Sequence, residues 1–378
     1  MRIGIITIHN SPNDGASLQA FALWKYITDC GHECEIIDLH RPHQADYIPS
    51  KKYFPYRQQK KTVFQLIKKM IRYRKESKKN SKKFLSDKAQ DRFDKFNSKI
   101  RYSRPYYGID MLYANPPVYD VYITGSDQLW NPSQFYCLEP YFLTFAPIGK
   151  KRISYAPSIG IPNINAKEKE DFSKWLKYYD SISVRELQAK QLLETIVDKK
   201  IECVADPTFL LERNYWKSIA SPSKARCAYI LLFTLSYDVT LLEYAKSLSK
   251  QSGIKLIYLT AIQPSVDNIE YEPVTDAGPI EWLGYIRNAE MVITNSFHGT
   301  VFSIILEAKQ FVTYISPSNN RGSRIVDLLH TFDLSDHLLH NLTSSYEELL
   351  NIPYSLSSTR KIYNEIQMNG RDFLKRNL

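Results

Sequence analysis

Short, wholly apolar runs alternate with stretches of helical periodicity along most of this chain, and the alternation begins twice. Residues 3–8 (IGIITI) are apolar throughout, as a strand covered on both faces must be. A polar loop follows, then LQAFALWKYITDCG with apolar residues at helical spacing and Gly31 as its stop, then the run CEIIDL. The same grammar continues through YDVYITGSDQLWN, KRISYAPSIG, the helix EDFSKWLKYYD, SISVRE, the helix ELQAKQLLETI and ECVADPTFLL. A Ser/Pro/Lys-rich stretch at 217–226 reads as a linker. After it the pattern restarts with AYILLFTL, a helix closed by Gly253, IKLIYLT, a helix with Pro279 near its start, MVITNS, GTVFSIILEAK and FVTYIS. Strands apolar on both faces need helices on both sides, which predicts α/β architecture with two doubly wound, Rossmann-like domains facing a cleft. The expected organisation is 1–222 with a helical insert at 51–104, then 223–356, then a helix over 357–378 packing back on the first domain.

Charge is placed unevenly. Residues 51–104 hold 20 Lys/Arg and 4 Asp/Glu, a net of +16, while the 378-residue chain carries only +10, so the remainder is near −6. Within the insert Val63, Leu66, Ile67, Met70 and Ile71 form an apolar stripe beside Lys68, Lys69, Arg72, Arg74 and Lys75. Two readings stand: a helix with a solvated basic face, or a patch that docks on an anionic membrane surface. The insert lacks a nucleic-acid motif, so no nucleic-acid partner is expected. No apolar run reaches the length that spans a bilayer. The first residues read as a buried strand and not as a signal peptide. The five scattered cysteines fit reduced thiols in a cytoplasmic protein, possible membrane contact being peripheral and on the inner face. No metal-ligand spacing is present.

The residues with chemical potential fall at strand ends. Asn10, Asn13 and Asp14 lie in the loop before the first helix, where free N–H groups can hold an anion or a sugar hydroxyl, or where the same side chains simply cap the helix. Asp127, Gln128, Trp130 and Asn131 pack planar hydrogen-bonding groups beside an aromatic ring, which suits a sugar as well as it suits a turn. Ser296, His298 and Gly299 mark a strand-to-helix junction where a histidine can meet an anionic ligand and move a proton. Arg185 ends a strand as either an ion-pair residue or a fork for carboxylate or phosphate, and Arg321 and Arg324 carry the same two readings. Asp206, held by Pro207, reads as structural.

Taken together, the segments Asn10 to Leu23, Gly125 to Asn131, Ile153 to Ala156, Ser183 to Glu186, Asp206 to Thr208, Asp276 to Pro279 and Ser296 to Gly299 resemble, in order and spacing, the polysaccharide pyruvyl transferase family. The resemblance covers about residues 1–335. It implies a GT-B-like fold, phosphoenolpyruvate as donor substrate without a further cofactor, and a sugar of a cell-surface polysaccharide or lipid-linked oligosaccharide precursor as acceptor. It implies donor contacts from Arg185, Ser296, His298, Gly299, Arg321 and Arg324, with His298 as acid and Asp127 as base. Acceptor contacts would come from Asn10, Asn13, Asp14, Gln128, Trp130 and Asn131. Ser296 stands where characterised relatives carry Arg, and Arg321 or Arg324 is then the candidate for the missing cation. The competing readings are a nucleotide-sugar-dependent glycosyltransferase and a non-enzymatic anionic-surface or nucleic-acid binding protein.

Overall fold

The computed structural model describes the chain except residues 43, 54, 56–85, 223, 224, 226, 236, 237, 261–269 and 317–321. Arg321 and the stripe from Val63 to Ile71 therefore lie outside the described residues.

The first half contributes strands β1 (Arg2–Ile6), β2 (Glu33–Ile36), β3 (Val121–Thr124), β4 (Lys151–Ser154), β5 (Ser181–Val184) and β6 (Ile201–Cys203). The second contributes β7 (Tyr229–Phe233), β8 (Lys255–Leu259), β9 (Glu272–Val274), β10 (Met291–Thr294), β11 (Phe311–Tyr314) and β12 (Leu338–Leu339). Each set forms one six-stranded sheet, in the orders β2-β1-β3-β4-β5-β6 and β12-β11-β10-β7-β8-β9, with every pairing parallel. Strand order reverses between β1 and β3 in one sheet and between β7 and β10 in the other. Ligand crevices in open α/β sheets sit outside the strand ends at such reversals.

The helices are α1 (Asp14–Asp29), α2 (Asp87–Asn97), α3 (Ile109–Ala114), α4 (Ala166–Leu176), α5 (Leu187–Glu194) and α6 (Arg213–Ile219), then α7 (Val239–Ser252), α8 (Pro279–Asn288), α9 (Phe297–Ile305), α10 (Ser323–Thr331), α11 (Tyr346–Leu350) and α12 (Leu356–Asn377). α1 starts where Asn13 Oδ1 accepts the Ala16 N–H at 3.0 Å, and it stops at Gly31, whose φ of +85° is open to glycine at little cost. α8 starts at Pro279, with Glu281 accepting the Gly278 N–H at 3.2 Å. Phe93 and Phe96, which fall within the basic insert, are buried on α2.

The linker read at 217–226 is shorter than its composition suggests. Lys217 to Ile219 complete the last turn of α6, because Trp216 is fully buried and holds that helix against the core. Past the last sheet the chain returns. On α12 the buried Tyr363, Gln367, Phe373 and Leu374 pack toward residues 209–211, with Tyr363 Oη donating to Leu211 O at 2.6 Å and Gln367 Nε2 to Phe209 O at 3.0 Å. A deeply buried Phe or Leu contributes about 1.5–3 kcal/mol, so this single helix ties both ends of the fold together. No helix among the described residues is long and apolar enough to cross a membrane.

Candidate active site

The two halves meet at their strand ends. α9 opens where Ser296 Oγ accepts the Gly299 N–H at 3.2 Å, and this puts His298 in the first helical turn. Opposite it, the start of α1 comes so close that a β-carbon at Gly15 would overlap the His298 ring. Only glycine permits this approach of one half to the other. The His298 side chain is 10% exposed, and its Nε2 stands 3.5 Å from Asp206 Oδ2.

Asp206 is the hub. Its Oδ1 accepts the Thr208 N–H at 3.1 Å and the Thr208 hydroxyl at 2.9 Å, which fixes the carboxylate at the head of the turn Pro207–Leu210. Its Oδ2 accepts from Arg185 Nη1 at 2.8 Å and from Ser126 Oγ at 3.1 Å. Burial by itself would push this carboxyl up; the His298 imidazole, the Arg185 guanidinium and the Thr208 N–H outweigh it and hold it well below the usual carboxylate range.

Arg185 is buried, yet Nε and Nη2 make no hydrogen bond among the described residues. Nη2 lies 3.7 Å from Asp127 Oδ1 and Nε lies 4.0 Å from Glu186 Oε2, beyond hydrogen-bond range. The guanidinium carbon sits 4.3 Å from the Phe297 ring centroid, and that of Arg324 sits 5.4 Å from the same ring. One aromatic side chain from the second half thus gathers two cations, one from each half. Arg324 also reaches across to the first half. With the Gln128 amide oxygen turned toward α10, Nη1 donates to it at 3.3 Å. Arg185, Asp206, Phe297, Arg324 and Asp327 line a cavity of about 260 Å³. Ligand pockets run to roughly 300–1,000 Å³, so this one is at the small end.

The remaining expected residues separate. Asp127 has φ +77°, a costly conformation for a non-glycine residue, and its Oδ1 accepts the Gln128 N–H at 2.8 Å. Asn10, also left-handed at φ +46°, donates to Asp38 Oδ1 at 3.4 Å. Asn13 is occupied as the cap of α1 and Ser296 as the cap of α9. Gly299 packs its backbone against Thr294. Two expected acceptor contacts are corrected. Trp130 is fully buried, stacked on Phe142 at 4.8 Å, with Nε1 donating to Tyr141 O at 3.0 Å. Asn131 is fully buried against the Gln128 amide and accepts the Ser133 N–H at 2.9 Å. An aromatic ring beside polar residues in sequence need not face the same way, and here the ring fills the core of the first half.

Sequence reasoning read Asp206 as structural and left Glu186, Ser126 and Phe297 out of the site. A signal did exist. An Arg that ends an apolar strand must find a counter-ion, and the next strand in the sheet ends on an Asp fixed by a Pro. Glu186 closes the floor of the site, its Oε1 accepting from Ser158 Oγ at 2.9 Å and from the N–H groups of Ile159 at 2.9 Å and Gly160 at 3.0 Å.

Two parallel doubly wound sheets with a cation-lined, histidine-bearing site at their facing strand ends define a two-domain α/β enzyme of GT-B-like architecture. Residues 13–317 match the sequence profile described as polysaccharide pyruvyl transferase, and the chain belongs to that family of transferases. Among solved structures, a UDP-GlcNAc 2-epimerase of Methanocaldococcus jannaschii in complex with UDP-GlcNAc and UDP has a TM-score of 0.50 at 13% identity, covering 97% of this chain and 100% of the other. A UDP-N-acetylglucosamine 2-epimerase of Rickettsia bellii has a TM-score of 0.48 at 10% identity over 99% and 95% of the two chains. MurG of Acinetobacter baumannii has 0.45 at 9% over 100% and 98%. Likeness at this level concerns the fold alone. No curated protein matches the sequence.

Proposed function

We propose that this transferase moves the pyruvyl group of phosphoenolpyruvate onto two hydroxyls of a sugar belonging to a cell-surface polysaccharide or its lipid-linked precursor, forming a cyclic ketal. The observation that carries the donor class is the buried Nε–Nη2 edge of Arg185, which makes no hydrogen bond among the described residues. A planar pair of donors that makes no hydrogen bond among the described residues matches a carboxylate or phosphate bidentately, and desolvation strengthens the match. Arg324, gathered on the same ring, supplies the second cation that a donor with two anionic ends requires.

The reaction needs an acid at C3 of the enol, cations for two anions and a base for the attacking hydroxyl. His298 is the acid. Its Nε2 stands 3.5 Å from Asp206 Oδ2, and in this role it gives a proton to C3 while the acceptor oxygen bonds to C2. The C2–oxygen bond to phosphate then breaks and the second hydroxyl closes the ring. Both hydroxyl protons are accounted for, one on the new methyl group and one on the departing phosphate. Arg185 and Arg324 stabilise the leaving dianion.

Calorimetric titration tests this reading. Phosphoenolpyruvate binds the wild-type protein, and Arg185→Lys weakens that binding by about 1–3 kcal/mol, because a point charge replaces a two-donor edge. Tight binding of a nucleotide sugar with none of phosphoenolpyruvate would instead assign the chain to nucleotide-sugar-dependent glycosyl transfer.

A further inference from the structure

The proposed reaction requires a base for the acceptor hydroxyl, and the residue expected in that role, Asp127, is poorly disposed to serve. Its Oδ1 already accepts the Gln128 N–H and lies 3.7 Å from Arg185 Nη2, so that oxygen is already engaged. A second carboxyl stands at the same site. Asp14 is the first residue of α1, directly before the glycine that meets the His298 ring. Its Oδ1 is buried and takes no hydrogen bond among the described residues, while the residue as a whole keeps partial exposure to solvent. Unpartnered buried carboxyl oxygens cost free energy, and a stable fold retains one only where something else compensates or uses it.

We infer that Asp14 is the base that takes the proton from the acceptor hydroxyl; the assignment rests on the pyruvyl-transfer reading. Its surroundings set its basicity. Burial raises the carboxyl from 3.8 to about 7, its own backbone N–H pulls it down, and the Glu281 carboxylate on α8 raises it again. Arg92 of α2 is paired with Glu281 at 3.3 Å, and the imidazole across from Gly15 stands 3.5 Å from Asp206 Oδ2, so each of these groups already has a carboxylate of its own. The two aspartates of the site are thus driven apart. Asp206 is held ionised beside His298, and Asp14 is poised to gain and lose a proton near neutrality. Environments that separate two carboxyls in this way mark acid and base roles. In the balanced step the hydroxyl O–H bond breaks, its proton passes to Asp14, and the oxygen bonds to C2. The C2=C3 electron pair takes the His298 proton at C3. Asp14 then returns its proton to the imidazole across the Gly15 contact, while the second hydroxyl proton leaves with phosphate.

The test compares wild type, Asp14→Asn and Asp14→Glu for phosphoenolpyruvate affinity by calorimetry and for phosphate release with p-nitrophenyl hexopyranosides as acceptors, from pH 5 to 9. The expected result for Asp14→Asn is unchanged donor affinity, an unchanged melting temperature, and turnover lowered by about a hundredfold. The acidic limb of the wild-type pH profile, where turnover falls as Asp14 is protonated below about 7, is expected to vanish in Asn and return in Glu. Asp14→Asn with wild-type turnover and an intact acidic limb overturns the assignment and leaves the donor reading standing. Wild-type protein that does not bind phosphoenolpyruvate overturns both. Wild-type protein that binds it and releases no phosphate with any hexopyranoside overturns the acceptor class, and the base with it.

Discussion

The strand ends of the two halves face each other but are built differently. Those of the first sheet carry the buried charge of Arg185 and Glu186 after β5 and Asp206 after β6, with the half-buried Asp127 after β3 and Asp38 after β2 beside them. Among the described residues, those of the second sheet bury mainly hydroxyls: Thr234 after β7, Thr260 after β8, and Ser296 after β10, followed by His298, while Asp276 after β9 is only partly buried. One half is an ion network held rigid by backbone N–H groups and hydroxyls. Among the described residues the other offers one imidazole, one aromatic ring and, from α10, one guanidinium. The division has a physical reason. A buried charge is tolerated only where fixed partners surround it, so the network must lie within a single sheet, whereas a group that meets substrate from the far side of a cleft can be nearly uncharged until the cleft is filled.

The largest expected effect comes from removing the lone imidazole. His298→Gln, with a side chain of similar reach that cannot carry the proton, is expected to lower turnover by about 10²–10⁴-fold. The melting temperature should hardly move, because among the described residues Nε2 makes no hydrogen bond that folding depends on. Wild-type turnover in this variant would break the comparison at its centre. Asp206→Asn addresses the other half. It leaves Arg185 buried with half its compensation gone, and chemical denaturation should show a loss of roughly 3–5 kcal/mol. A merely local loss, below about 1 kcal/mol, would mean that the network is less tightly buried than its geometry indicates.

The smallest of these effects concerns how the halves are fastened. Glu307, at the end of α9, receives Arg360 at 2.6 Å, Arg213 at 2.7 Å and Lys217. The hydrogen bond from Arg360, working against burial and joined by the two other cations, lowers its carboxyl to about 2. A depressed carboxyl adds stability above its ordinary value of 4.5, and that contribution is lost as pH falls from there toward about 2. Glu307→Gln is therefore expected to lower stability by about 2 kcal/mol at pH 7, with the gap to wild type closing below pH 4.5. A gap that stays constant down to pH 3 would show that the contact acts through packing and not through charge.

Local sequence determined which segments become strands and which become helices, because a run apolar on both faces has one economical solution: burial under helices on each side. It also determined that His298 and the Asn10–Gly15 loop fall at strand ends, since both follow such runs directly. Tertiary structure alone decided which way each side chain faces. Trp130 and Asp127 stand three residues apart in one loop; the first turns into the core against Phe142 and the second toward Arg185. The strand order that sets β5 beside β6, and so pairs Arg185 with Asp206, is a long-range choice among many pairings that no local pattern encodes. The contact between Gly15 and His298 spans most of the chain and exists only because two independently wound sheets turn their strand ends toward each other. Periodicity is a property of neighbours in the chain, whereas a site is a property of neighbours in space, and packing is what converts one into the other.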